Sequence, residues 1–121
     1  MTAELIDDIE DYTYVDYAVM SVLSIKGKPM YKSAIMKECI KRYGDLIEHG
    51  PYLYGEYSDD VDEAVEGLCS QGVLHRDPSG TTYKISLTKY GENLFMTFLH
   101  TQMEDDDLEA IKLEILGGAF Q

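Results

Sequence analysis

Residues 68–91, LCSQGVLHRDPSGTTYKISLTKYG, decide the fold. Gly72 follows a run of helically spaced apolar residues and can end it, because glycine accepts the left-handed backbone that closes helices. Val73, Leu74, His75 and Arg76 then read as a strand. Asp77-Pro78-Ser79-Gly80 is a four-residue turn signal: proline presets one dihedral and glycine tolerates positive φ. Residues 81–87 alternate and are rich in β-formers, which completes a hairpin. Thr88 can cap a following helix, whose apolar positions Tyr90, Leu94, Phe95, Phe98 and Leu99 share one face.

Three helices are expected upstream of the hairpin. Val15, Ala18, Val19, Val22 and Leu23 recur at intervals of three and four, the mark of a helix with one buried face, and Gly27 supplies its C-terminal cap. Pro29 ends any helical option, and Met30 with Tyr31 can form a short extended segment. A second helix is expected over residues 33–43, where Met36, Cys39, Ile40 and Tyr43 share a face, and Gly44 closes it. Residues 45–57, DLIEHGPYLYGEY, contain Gly50-Pro51 and Gly55 and read as a long tyrosine-rich loop, a kind of segment that is often functional. Ser58 is a good N-cap for the third helix, which buries Val61, Ala64, Val65 and Leu68.

The flanks are acidic. Residues 1–12 place Leu5, Ile6 and Ile9 at helical spacing, consistent with a short helix or an arm that orders on contact. After the acidic run 104–107, Leu108, Ile111 and Ile115 resume helical spacing, which predicts a short tail helix packed on the core or on a second copy. The expectation is one α+β, mainly α domain over residues 1–121, with an N-terminal arm (1–12), a core (13–100) and a tail helix (104–121).

The order helix, short strand, helix, loop, helix, strand, turn, strand, helix is that of helix-turn-helix modules finishing in a β-hairpin wing. Gly72-Val73-Leu74, the hairpin, and Tyr83-Lys84-Ile85-Ser86-Leu87-Thr88-Lys89-Tyr90-Gly91 resemble the wing and exit helix of prokaryotic winged-helix regulators. In those proteins a leucine, two spacers and Gly-Val/Leu end the recognition helix, and Tyr-x-Leu-Thr-x-x-Gly follows the wing; Leu68, Gly72 and Thr88 to Gly91 match that pattern loosely. Tyr54-Gly55-Glu56-Tyr57-Ser58-Asp59-Asp60-Val61 resembles a Tyr-Gly-Pro-x-Ser-x-x-Val motif of Panacea-type antitoxin domains and small archaeal winged-helix proteins, with Glu56 in place of the proline. The resemblance implies a winged helix-turn-helix of three helices plus a wing and an additional C-terminal helix. It implies a regulatory role without choosing a partner, since winged helices bind DNA and proteins alike.

Charge narrows that choice. The chain has 23 Asp and Glu against 10 Lys and Arg, a net charge of −13, which opposes non-specific attraction to polyanions. Residues 26–42 are the exception, with six basic side chains against one acidic. In a DNA-reading helix-turn-helix the second helix of the motif enters the major groove. Here that helix carries Asp59, Asp60, Asp62, Glu63 and Glu66 and no Lys or Arg, so insertion would press carboxylates toward phosphates. The acidic residues are either a solvated face with dipole-favouring caps or a surface that meets a basic partner.

The candidate protein-contact set is therefore Tyr52, Tyr54, Tyr57, Asp59, Asp60, Asp62, Glu63 and Glu66; the partner is a protein, with a second copy of the chain one option. The candidate phosphate-contact set is Lys26, Lys28, Lys32, Lys37, Lys41 and Arg42, with Arg76 and Lys84 on the wing. It supports the alternative of a DNA-binding regulator that uses the basic segment instead of the acidic helix. The same patch could also pair with the acidic helix of a neighbouring copy.

Chemistry-bearing motifs are not expected. Cys39 and Cys69 sit among apolar neighbours, and adding His49 and His75 reproduces no zinc spacing. His49, His75 and His100 stand beside no nucleophile, and no glycine-rich phosphate loop occurs. The reading is a non-enzymatic protein without cofactor or metal. No apolar run approaches the roughly 18 residues of a membrane span, and the acidic start is unlike a secretory signal, so no membrane partner and a cytoplasmic location are expected.

Overall fold

A computed structural model describes residues 8–48, 54–77 and 83–119. Among the described residues five helices, Tyr14–Lys26 (α1), Lys32–Glu48 (α2), Tyr54–Ser70 (α3), Lys89–His100 (α4) and Asp106–Ala119 (α5), accompany three short strands, Met30–Tyr31 (β1), Leu74–Asp77 (β2) and Lys84–Leu87 (β3). The class is α+β and mainly helical. The sheet is antiparallel in the order β1-β3-β2, with Met30 opposite Ile85, Leu74 opposite Leu87 and Asp77 opposite Lys84.

Helix α1 begins at a capping box: the Thr13 hydroxyl accepts from the Asp16 amide at 3.3 Å, and the Asp16 carboxylate accepts from the Thr13 amide at 2.9 Å, which satisfies two donors the helix start would otherwise leave open. At its other end the Gly27 amide donates to the Leu23 carbonyl at 3.0 Å. Sequence periodicity predicts one buried face, but Val15 and every residue from 17 to 23 are buried. The reason is tertiary: α2, α3, α4, α5 and β3 all pack on α1. A helix with apolar residues all round is suited to that central position.

A 3-10 turn, Ile9–Asp11, precedes α1. The Tyr17 ring stacks on Phe98 with centroids 3.7 Å apart, and its hydroxyl donates to the Ile9 carbonyl at 2.5 Å. Ile9 and Tyr12 are buried in the core, while Glu10 and Asp11 between them are exposed; residues 1–7 lie outside the described residues.

Two expected boundaries are corrected. Helix α2 continues past Gly44 to Glu48, and α3 starts at Tyr54, which places Ser58 inside the helix rather than at its cap. Residues 45–48 and 54–57 are therefore helical where a loop is expected. A glycine inside a helix costs only about 1 kcal/mol relative to alanine, and the packing of α2 outweighs it: Ile35, Cys39 and Tyr43 are buried, and the Tyr43 and Ser21 hydroxyls lie 2.6 Å apart. The Gly50-Pro51 signal lies outside the described residues.

The end of α3 follows the sequence closely. Gly72 has φ +79°, the Val73 amide donates to the Leu68 carbonyl at 2.9 Å and the Gly72 amide to the Cys69 carbonyl at 3.2 Å. Those two bonds form a Schellman closure, with Val73 and Leu68 both buried as its apolar pair. The chain then enters β2, which ends at Asp77; the rest of the expected turn, Pro78-Ser79-Gly80, lies outside the described residues. Thr88 caps α4 through the Gly91 amide at 3.0 Å, and its hydroxyl also donates to the Gly72 and Val73 carbonyls.

Helix α5 covers the remaining face of the core. Asp105 is its N-cap, accepting from the Leu108 amide at 3.2 Å, so the acidic run 104–107 starts α5, whereas α4 has already closed at Thr101. Leu108, Ile111 and Ile115 are buried against α1, α2 and α4. The buried Lys112 ammonium donates to the Thr101 carbonyl at 2.9 Å and pairs with Glu109 at 2.9 Å, which anchors the connection between α4 and α5.

Candidate functional site

Helix α3 packs on α1, α2 and β2 through Val61, Val65 and Leu68, all buried, and turns its charges outward. Asp59, Glu63 and Glu66 are exposed, and Asp60 and Asp62 are half-buried. These five carboxylates divide into two groups. Lys32 Nζ lies 2.7 Å from both Asp62 and Glu66, and Arg76 pairs with the other Glu66 oxygen. Basic segment and acidic helix thus pair within one chain, across 34 residues of sequence.

Electrostatics within the cluster are mutual. Bonds from Lys32 and Arg76 hold the Glu66 carboxyl below the usual glutamate range. Partial burial alone would lower the Lys32 ammonium, but the bonds from Asp62 and Glu66 outweigh it and raise that group. The Arg76 guanidinium is likewise raised by Glu66. The cluster staples α3 to the N-terminus of α2 and to β2, and it gives Lys32 and Arg76 carboxylate partners within the chain.

Asp59, Asp60 and Glu63 remain on the open part of the helix. Asp60 and Glu63 share a shallow notch of about 350 Å³ with Thr13, Tyr14 and Asp16 at the start of α1. Burial raises the Asp16 carboxyl despite the two bonds it shares with Thr13. Sequence reasoning did not place Asp16 at this face, although the Thr13-x-x-Asp16 spacing marks its capping role.

The basic segment also divides. Glu38 accepts from Arg42 at 3.1 Å and lies 3.6 Å from Lys26; burial works against it, yet Arg42 and the nearby lysines keep its carboxyl low. Lys28, Lys37 and Lys41 are exposed and have no ion pair among the described residues. Lys26, Lys28, Lys37 and Lys84 line an open cleft of about 440 Å³ with Tyr31 and Glu38. The Lys84 ammonium stands over the Tyr31 ring, 5.4 Å from its centroid, and Arg76 stands over Tyr83 at 5.1 Å. Tyr31 is 46% exposed; the inward Met30 beside it shows why, since strand neighbours alternate.

Of the tyrosines expected at a contact surface, Tyr54 and Tyr57 fall in the first turn of α3, and Tyr52 lies outside the described residues. Tyr12 and Tyr17 are core. Tyr90 donates to Asp8 at 2.8 Å, and burial pushes its hydroxyl, like that of Tyr17, above the ordinary tyrosine range. Among the described residues no three His, Cys, Asp or Glu side chains gather as metal ligands, and no helix is long and apolar enough to cross a membrane. No protein-family model, curated protein or solved structure matches the chain.

Proposed function

We propose that the chain is a winged-helix regulatory module, of transcription-regulator or antitoxin type, that acts mainly through protein contacts. The observation that carries this reading is the charge of α3. In a winged helix α3 would be the recognition helix and the β2–β3 hairpin the wing. Every charged residue of this helix is acidic, and the two cations beside it, Lys32 and Arg76, are already neutralised by Asp62 and Glu66. Docking α3 on DNA would bring Asp59, Asp60 and Glu63 toward phosphates without a compensating cation from its neighbours. The same face offers a basic protein surface complementary charge, which would steer its encounter and fix its register.

Fluorescence anisotropy with a labelled DNA duplex, titrated at several salt concentrations, tests the reading. Weak binding without saturation in the micromolar range is expected. Tight, salt-sensitive duplex binding that disappears in Lys37→Glu/Lys41→Glu would replace it with a DNA-binding regulator that uses the basic segment.

A further inference from the structure

The cleft beside β1 is the strongest departure from the character of the rest of the surface. We infer that it is a docking site for an extended acidic segment of a partner protein, an inference that rests on the protein-contact reading above.

Acids outnumber bases by 23 to 10, and Lys32, Arg42 and Lys112 each have a carboxylate within 3.1 Å. Against that background Lys26, Lys28, Lys37 and Lys84 converge on one cleft with a single carboxylate, Glu38. Glu38 is itself shared between Lys26 and Arg42, so Lys28 and Lys37 are left uncompensated among the described residues. Like charges held together cost energy that a bound anion would recover.

The shape of the cleft favours an extended chain. β1 is an edge strand and lines the cleft, and sheet edges accept peptides through main-chain bonds while side-chain pockets set specificity. Lys28 lies just before β1, Lys37 on α2 beyond it and Lys84 across from it on β3, so carboxylates spaced along one strand would each find an ammonium. The half-exposed Tyr31 ring adds a flat amphipathic surface at small entropic cost.

A duplex fits less well. It carries one phosphate per roughly 1.7 Å of axis and would extend beyond the cleft over a surface whose total charge is −13. The acidic notch lies at the opposite end of α1, about 20 Å away for 13 residues of helix. At about 0.1 M salt, screening over roughly 10 Å leaves the local lysine field to govern a short peptide.

The test uses the full chain and a short fluorescein-labelled peptide of alternating glutamate and threonine, with the glutamine-threonine peptide as a neutral control. Saturable, salt-weakened binding of the acidic peptide alone is expected. Lys28→Glu/Lys37→Glu should weaken it roughly tenfold or more, with an unchanged thermal melt because both side chains are exposed and without ion pairs among the described residues. Lys89→Glu, exposed on α4 and outside the cleft, should leave affinity within about twofold. Amide shifts on titration should centre on Met30, Tyr31 and Lys84. No saturable binding, equal losses in Lys89→Glu, or shifts spread over the whole surface would overturn the inference and leave the protein-contact reading standing. A duplex that displaces the peptide from the same lysines would overturn both.

Discussion

A Cβ at residue 91 would lie 2.2 Å from the Val73 carbonyl oxygen. That oxygen cannot retreat freely, because it accepts from the Thr88 amide at 3.1 Å and the Thr88 hydroxyl at 3.0 Å. Gly91→Ala should therefore cost roughly 3 kcal/mol and lower the melting temperature by on the order of 10 °C, measured by circular dichroism; an unchanged melt would refute the contact. Thr88→Ala should cost about 1 to 2 kcal/mol through the lost cap, with Thr88→Ser recovering most of it. Here the Thr-x-x-Gly spacing has a physical reason: threonine ties the first turn of α4 to the end of α3, and glycine lets the two backbones meet. Burial pushes the Cys39 thiol up to about 12, so in the native chain it should resist iodoacetamide while labelling rapidly in urea. Mass spectrometry of the alkylated peptides checks this.

Among the elements, α2, α3 and β2 are joined by Lys32, Asp62, Glu66 and Arg76, and that joint is sensitive to pH. Glu66 is held below its ordinary range, so its contribution is present above about pH 4.3, the unfolded value, and fades as pH falls through the lower folded value. Lys32 is raised; its contribution is complete below the ordinary lysine range and fades as pH rises through the higher folded value. Glu66→Gln should cause a small loss of urea stability at pH 7, small because the pair is partly exposed, and the gap to the parent chain should close toward pH 3. A gap constant with pH would count against the joint. None of this linkage is written in the local sequence. Residue spacing identifies α3 as acidic and 26–42 as basic, but not that Lys32 reaches residues 30 and more positions away while Lys28 and Lys37 do not. Termini marked by bonding chemistry, Gly27, Gly72 and Thr88, are legible, because cap and partner are neighbours. The ends set by packing are not: α2 runs through Gly44 because Ile35, Cys39 and Tyr43 hold it against α1.

For the whole molecule, the position of α1 is the governing fact. Its apolar stripe is readable, but the burial of Tyr17, Met20 and Ser21 outside that stripe depends on Phe98, Tyr43 and the α5 face, which arrive from later in the chain. Removing residues 101–121 should uncover enough of α1 to abolish cooperative unfolding. The buried Leu108, Ile111 and Ile115 each contribute roughly 1.5 to 3 kcal/mol against a total of about 5 to 15 for a typical domain. Loss of the sharp thermal transition, with dye binding to exposed apolar surface, is the expected result; a transition within a few degrees of the parent would refute it.

Because the most apolar helix precedes its last cover in the chain, a growing polypeptide carries that helix without its final shelter until residues 108–115 have followed it out of the ribosome. Such an interval favours capture by a chaperone or by another nascent chain, and it ends only when Leu108, Ile111 and Ile115 can pack.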